Sequence, residues 1–142
     1  MDKIRTILVI GSVTPAQYKE ARLDVIKSGY KPKIIRTTPE VFFDHERSNG
    51  RIKAKLKFNH KTGRDINIGD DELELQCTYE ARTLAGQFGR GFAAVVMDED
   101  VWTKFWDKEL FYSYLLEAFE DLNRGFIRWI AYPDGRCEFA GR

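Results

Sequence analysis

Histidine and cysteine are scarce in this 142-residue chain, with two of each, and proline occurs four times. His45 and His60 have no His or Cys companion at ligand spacing, so no metal site and no Ser-His-Asp triad is expected. Cys77 and Cys137 fall on expected strands and read as two buried thiols of a reducing compartment. No apolar run approaches the ~20 residues needed to span a bilayer. The N-terminal run Ile-Leu-Val-Ile is too short for a signal-peptide core and ends in Gly-Ser, so a soluble, cytoplasmic protein is expected. A formal net charge of +1 gives no global pull toward nucleic acid or membrane.

Aromatic residues, by contrast, are plentiful: ten Phe, six Tyr and three Trp, enough for an aromatic-rich core or interface. The length suits one domain, residues 1–142, with a core of ordinary size. Charge is unevenly spread. Arg51 to Arg64 carries six Lys or Arg and no acid, whereas Asp98 to Asp121 carries eight acids against Lys104 and Lys108.

One pattern occurs twice. Ile4 to Ile10 is a buried-type strand, followed by a helix from about Pro15 to Ser28 and a strand at Lys33 to Thr38. Thr14, Pro15 and Gln17 form a capping-box start, and Gly29 is the stop. Glu72 to Cys77 is again a strand, followed by a helix from about Tyr79 to Phe88 and a strand at Phe92 to Met97. Two strand-helix-strand units predict an α+β fold, a ferredoxin-like βαββαβ sandwich with helices on one sheet face.

Between the units, Thr38-Pro39 is expected to open a short helical turn carrying Val41, Phe42 and Phe43. Arg51 to Asn59 alternates strictly, with Ile52, Ala54, Leu56 and Phe58 on one face and Arg51, Lys53, Lys55 and Lys57 on the other. With Arg64 to Ile68 as its partner it forms an inserted basic hairpin. A long helix is expected from about Glu99 to Asn123, capped by Asp98 or Asp100 and striped with Trp102, Phe105, Trp106, Phe111, Tyr114 and Phe119. Phe126 to Tyr132 and Arg136 to Ala140 then form a final β-hairpin around Pro133-Asp134-Gly135.

Three features could carry chemistry. Gly11-Ser12 ends the first strand just before a helix, where backbone amides attract anions and small residues let a ligand approach. An ordinary strand-to-helix turn accounts for the same residues. Asp70, Asp71 and Glu72 gather three carboxylates at a strand entrance, able to bind a cation, orient an amine or sulfonium, or do acid-base work. A solvated loop explains them equally well. The lysine face of Arg51 to Lys57 suits either partner binding or edge protection. It lacks the interleaved aromatics of a nucleic-acid surface.

The stretch from Asp71 to Val96 (DELELQCTYEARTLAGQFGRGFAAVV) resembles the middle of the small S-adenosylmethionine lyases of bacteriophages, formerly called hydrolases. The opening ILVIGS and the turn at Asp134-Gly135 are similar to that family's beginning and end. The resemblance implies a homotrimer with S-adenosylmethionine as substrate and no further cofactor. It implies cleavage to methylthioadenosine and homoserine lactone, which would starve host methylation and restriction. Asp70, Asp71 and Glu72 would fill the place of the family's important glutamate, as catalytic residues. Gly11 and Ser12 would meet the ligand through backbone, with Phe42 and Phe43 in the region of a family tyrosine. A different class of function also fits: a non-enzymatic phage protein that inhibits a host factor through the basic hairpin or the acidic helix.

Overall fold

The computed structural model describes residues 3–48, 51–59, 66–69, 71–77, 79–80, 92–104 and 127–141. Apolar residues stand consecutively rather than alternately in the two strands at its centre. β1 (Ile4–Ile10) and β8 (Phe92–Asp98) read ILVI and AAVVM at their cores, the pattern of strands covered on both faces. The structure agrees: Ile7, Leu8, Val9, Ile10, Val95 and Val96 are fully buried.

These strands lie side by side in a seven-stranded mixed sheet of order β10-β9-β8-β1-β2-β6-β5. β1 is parallel to both β2 (Lys31–Thr37) and β8; β2 is parallel to β6 (Glu72–Glu74), and β8 to β9 (Ile127–Ala131). β10 (Cys137–Gly141) and β5 (Ile66–Gly69) close the two edges antiparallel. Taken in chain order, the five parallel strands run third, second, first, fourth, fifth across the sheet. That is the doubly wound order of nucleotide-binding α/β sheets.

The protein is thus α+β with a mixed sheet, and the strand arrangement differs from the expected ferredoxin-like one. A ferredoxin-like sheet inserts an antiparallel strand between the two ends of each strand-helix-strand unit. Here Ile7 pairs directly with Ile34, and Leu8 with Ile35, in parallel register. Strands this apolar on both sides gain most by lying between two parallel neighbours, away from the edges.

α1 (Lys19–Lys27) returns across one face, burying Ala21 and Val25, with Tyr18 before them, on Ile7, Val9, Ile34, Ala94, Val96 and Ala131. Burying a Val or Ile side chain contributes roughly 1.5–3 kcal/mol, so this layer is the main adhesive of α1. The regular helix starts four residues later than expected, because Pro15 to Tyr18 form a turn instead. It ends as expected. Gly29, at φ +86°, donates to Ile26 O at 3.0 Å and Tyr30 donates to Val25 O at 3.2 Å, a Schellman stop.

Three local expectations are corrected. Pro39–Ser48 is a ten-residue strand, β3, and not a helical turn. Proline suits the first position of a strand, and Val41, Phe42 and Phe43 are strong strand formers. The basic strand β4 (Arg51–Phe58) pairs with β3, while Ile66–Gly69 leaves to the main sheet. Tyr79–Glu80 is strand β7, paired with β4 at Phe58 and Lys57, where a helix start was expected. The remainder of that expected helix, residues 81–88, lies outside the described residues. β3, β4 and β7 form a second, three-stranded sheet with β4 in the middle. α2 (Glu99–Lys104) is the start of the expected long helix, whose continuation also lies outside the described residues. The final hairpin forms as expected, with Gly135 at φ +96° donating to Tyr132 O at 3.0 Å. No helix among the described residues is long and apolar enough to cross a membrane.

Candidate functional site at the carboxyl edge of the parallel sheet

β1 connects through α1 toward β2, whereas β8 connects through α2 toward β9, so neighbouring strands send their chains in opposite directions. Open parallel sheets bind ligands at the carboxyl ends of such a pair. At this point sit Gly11, Ser12 and Val13 after β1, Thr37 at the end of β2 with Thr38 after it, and Asp98 at the end of β8.

Asp98 organises the crossing. Its Oδ1 accepts from Val101 N at 2.6 Å, which caps α2 as expected from the sequence. Its Oδ2 accepts from Ser12 N at 2.5 Å, bridging 86 residues of chain. The carboxylate lies directly over Gly11. A Cβ built on that glycine would come within 2.7 Å of Asp98 Cγ and 2.9 Å of Val101 Cγ2. Gly11 also has φ +92°, a conformation that strains any L side chain. The glycine therefore does permit a close approach, and the group that approaches is Asp98.

The adjacent loop is tied on both sides. Gln17, 5% exposed, accepts from Thr14 N at 3.0 Å through Oε1 and donates through Nε2 to Tyr132 O at 2.8 Å and Arg136 O at 3.1 Å. Arg36 donates to Val13 O at 2.8 Å. The rim beyond is the β9–β10 turn, where Arg136 lies 4.7 Å over the Tyr132 ring and pairs with Asp134 at 2.6 Å and Glu138 at 2.9 Å. The Arg136 backbone amide and then its guanidinium hold the Asp134 carboxyl below its ordinary range.

The acidic cluster goes elsewhere. Glu72 pairs in register with Ile34, three residues short of Thr37 at the carboxyl edge, and its strand is separated from β8 by two others. Its carboxylate accepts from the Tyr18 hydroxyl and stands 3.9 Å from Arg36. Burial, and then that contact with Glu72, pushes the Tyr18 phenol up to about 12. Asp71 pairs with Arg22 at 3.1 Å, and Arg22 lies 5.6 Å over the Tyr18 ring. Asp71 and Glu72 thus join one arginine-rich network beside α1 and do not meet Gly11 and Ser12. Asp70 lies outside the described residues. Phe42 and Phe43 occupy adjacent positions of β3, opposite Lys55 and Ala54 of β4.

The register also qualifies the lysine face. Lys57 stands between Glu40 on one side and Glu80 on the other, and Asp44 lies opposite Lys53. The run is basic in sequence and mixed in the sheet. At Lys57 and Phe58 β4 is an interior strand, so edge protection does not apply there. Among the described residues no group of three or more His, Cys, Asp or Glu could hold a metal, and Cys77 and Cys137 are both half-buried and not in a disulfide. Burial raises the Cys137 thiol above its ordinary value.

Asp98 is the residue whose role the sequence hides. As a helix cap it is legible; its reach to Ser12 is a tertiary contact with no local signal. Comparison with protein-family models, with characterised proteins and with solved structures found no match for this chain.

Proposed function

We propose that the protein binds S-adenosylmethionine, or a closely similar nucleoside, across the carboxyl ends of β1 and β8, and cleaves it to methylthioadenosine and homoserine lactone. The observation that carries this is the juxtaposition of Gly11, Ser12 and Asp98 at the point where the doubly wound strand order reverses. A nucleoside needs an edge with room beside backbone and an acceptor for ribose hydroxyls. A sulfonium needs a nearby anion. The half-buried Asp98 carboxylate supplies both kinds of interaction from one position.

The chemistry asks little of the protein. The substrate's own carboxylate oxygen attacks its γ-carbon, the carbon–sulfur bond breaks, and sulfur keeps the electron pair as a neutral thioether. Holding the chain folded for this attack is a positioning task. An anion placed before the reaction also keeps the sulfonium in place without reorganising. In this scheme Asp98 faces the ligand, while Asp71 and Glu72, already paired with Arg22 and Arg36, hold α1 against β6. Assembly as a homotrimer and depletion of a host's methyl donor belong to the same proposal.

The test is incubation of purified protein with S-adenosylmethionine, with retained ligand followed by equilibrium dialysis and products by mass spectrometry. Methylthioadenosine and homoserine lactone above the no-protein control are the expected result. Retention without products would leave a binding protein and remove the lyase step. Neither retention nor products would overturn the proposal and turn attention to a host-protein partner.

A further inference from the structure

The loop that opens a doubly wound sheet ordinarily offers free backbone N–H groups to phosphate. Here every one from Gly11 to Thr14 is engaged within the chain. Gly11 N donates to Thr37 O at 2.8 Å, Ser12 N to Asp98 at 2.5 Å, Val13 N to Gly11 O at 3.1 Å and Thr14 N to Gln17 Oε1 at 3.0 Å. Pro15 has no N–H to give. Across the crossing, Val101 N is held by the other Asp98 oxygen at 2.6 Å. The arginines nearest this edge are engaged too: Arg36 with Val13 O and Glu72, Arg136 with Asp134 and Glu138.

A carboxylate therefore sits where a phosphate would sit, and takes the amides that a phosphate would need. We propose that the carboxyl edge selects nucleosides that carry no phosphate, neutral or cationic, and that Asp98 is the residue that sets this selectivity. This rests on the nucleoside-binding function proposed above and narrows its ligand class. A phosphate brought to Gly11 would lose its amide donors and meet a like charge at close range. A ribose diol or a sulfonium meets the same carboxylate as a partner.

Isothermal titration of the full chain with S-adenosylmethionine, adenosine, ADP and ATP tests the assignment. The native protein should bind S-adenosylmethionine or adenosine tighter than ADP or ATP by on the order of 30-fold or more, the scale of one close like-charge contact near a protein surface. Asp98→Asn keeps an oxygen for one amide and removes the charge, so the preference should narrow at least about tenfold. Thermal unfolding of the variant establishes that it is folded. ATP binding as tightly as adenosine in the native protein would overturn the selectivity while sparing a nucleotide-binding edge. An unchanged preference in folded Asp98→Asn would overturn the role of Asp98. Binding of none of the four would overturn both the selectivity and the nucleoside function beneath it.

Discussion

Replacing Gly11 by alanine probes the crossing at its tightest point. Two effects combine. The backbone at φ +92° would hold an L residue in a conformation that costs about 1 kcal/mol or somewhat more. The new Cβ would also press on Asp98, with Cγ only 2.7 Å away, so the carboxylate must leave. Its departure strips acceptors from Ser12 N and Val101 N, and losing such charge-assisted bonds together with a helix cap costs about 2–4 kcal/mol. The sum, about 3–5 kcal/mol, is a large part of the 5–15 kcal/mol that holds a domain folded. Asp98→Ala alone should cost the second part, about 2–4 kcal/mol. In the double variant the alanine at position 11 no longer meets a carboxylate, so it should add only its backbone strain and its contact with Val101, about 1 kcal/mol or somewhat more. Urea unfolding followed by tryptophan fluorescence gives the three differences at constant slope. The coupling between the two sites, the loss of acceptors that both single variants share, should be about 2–4 kcal/mol. Costs that add to within about 0.5 kcal/mol would refute the contact between them.

The other expectations concern the ties around the edge. Gln17→Ala leaves the Tyr132 and Arg136 carbonyls and Thr14 N without their partner, and should cost about 2–3 kcal/mol in urea unfolding; hydrogen exchange should quicken at the Tyr132 and Gly135 amides. Tyr18→Phe bears on alkaline stability. A phenol raised from 10.0 to about 12 by burial and by Glu72 stays protonated in the fold. Its contribution is complete below the unfolded value near 10 and is lost as pH rises toward about 12. The native protein should therefore lose more stability across that window than Tyr18→Phe does, and parallel curves would contradict this. Arg22→Met removes a partly exposed pair with Asp71, and the unfolding free energy from urea titration should fall by no more than about 1 kcal/mol.

The elements that depend on local signals were legible in the chain. β1, β8, the close of α1 at Gly29 and the Asp134-Gly135 hairpin needed only apolar runs and turn residues. Their arrangement was harder, because a strand-helix-strand unit looks the same whether its strands are neighbours or flank a third. A signal was nevertheless present: four apolar residues in a row at Ile7 to Ile10 imply cover on both faces, which a one-faced ferredoxin-like sheet does not give. The pairing of β4 with β3 likewise had a marker in Asn49-Gly50, the two residues between Ser48 and Arg51, a strong hairpin dipeptide. For the candidate site, Gly11 and Ser12 were placed correctly at a strand end, and the attraction of that position for an anion was sound. What no local pattern conveys is that the anion is Asp98. The carboxylates of Asp71 and Glu72 were conspicuous only in sequence. In the fold each faces an arginine, and an acid so paired is better placed to hold elements together than to meet a cationic ligand.

The most direct test of ligand binding at the carboxyl edge is a titration of isotope-labelled protein with S-adenosylmethionine, followed by amide NMR. Binding across β1 and β8 predicts that the largest shifts fall on Gly11, Ser12, Val13, Thr38 and Asp98. Shifts confined to β3 and β4, or to the Arg22–Asp71 side of α1, would place the ligand elsewhere and contradict the account, as would a spectrum that does not change at saturating ligand.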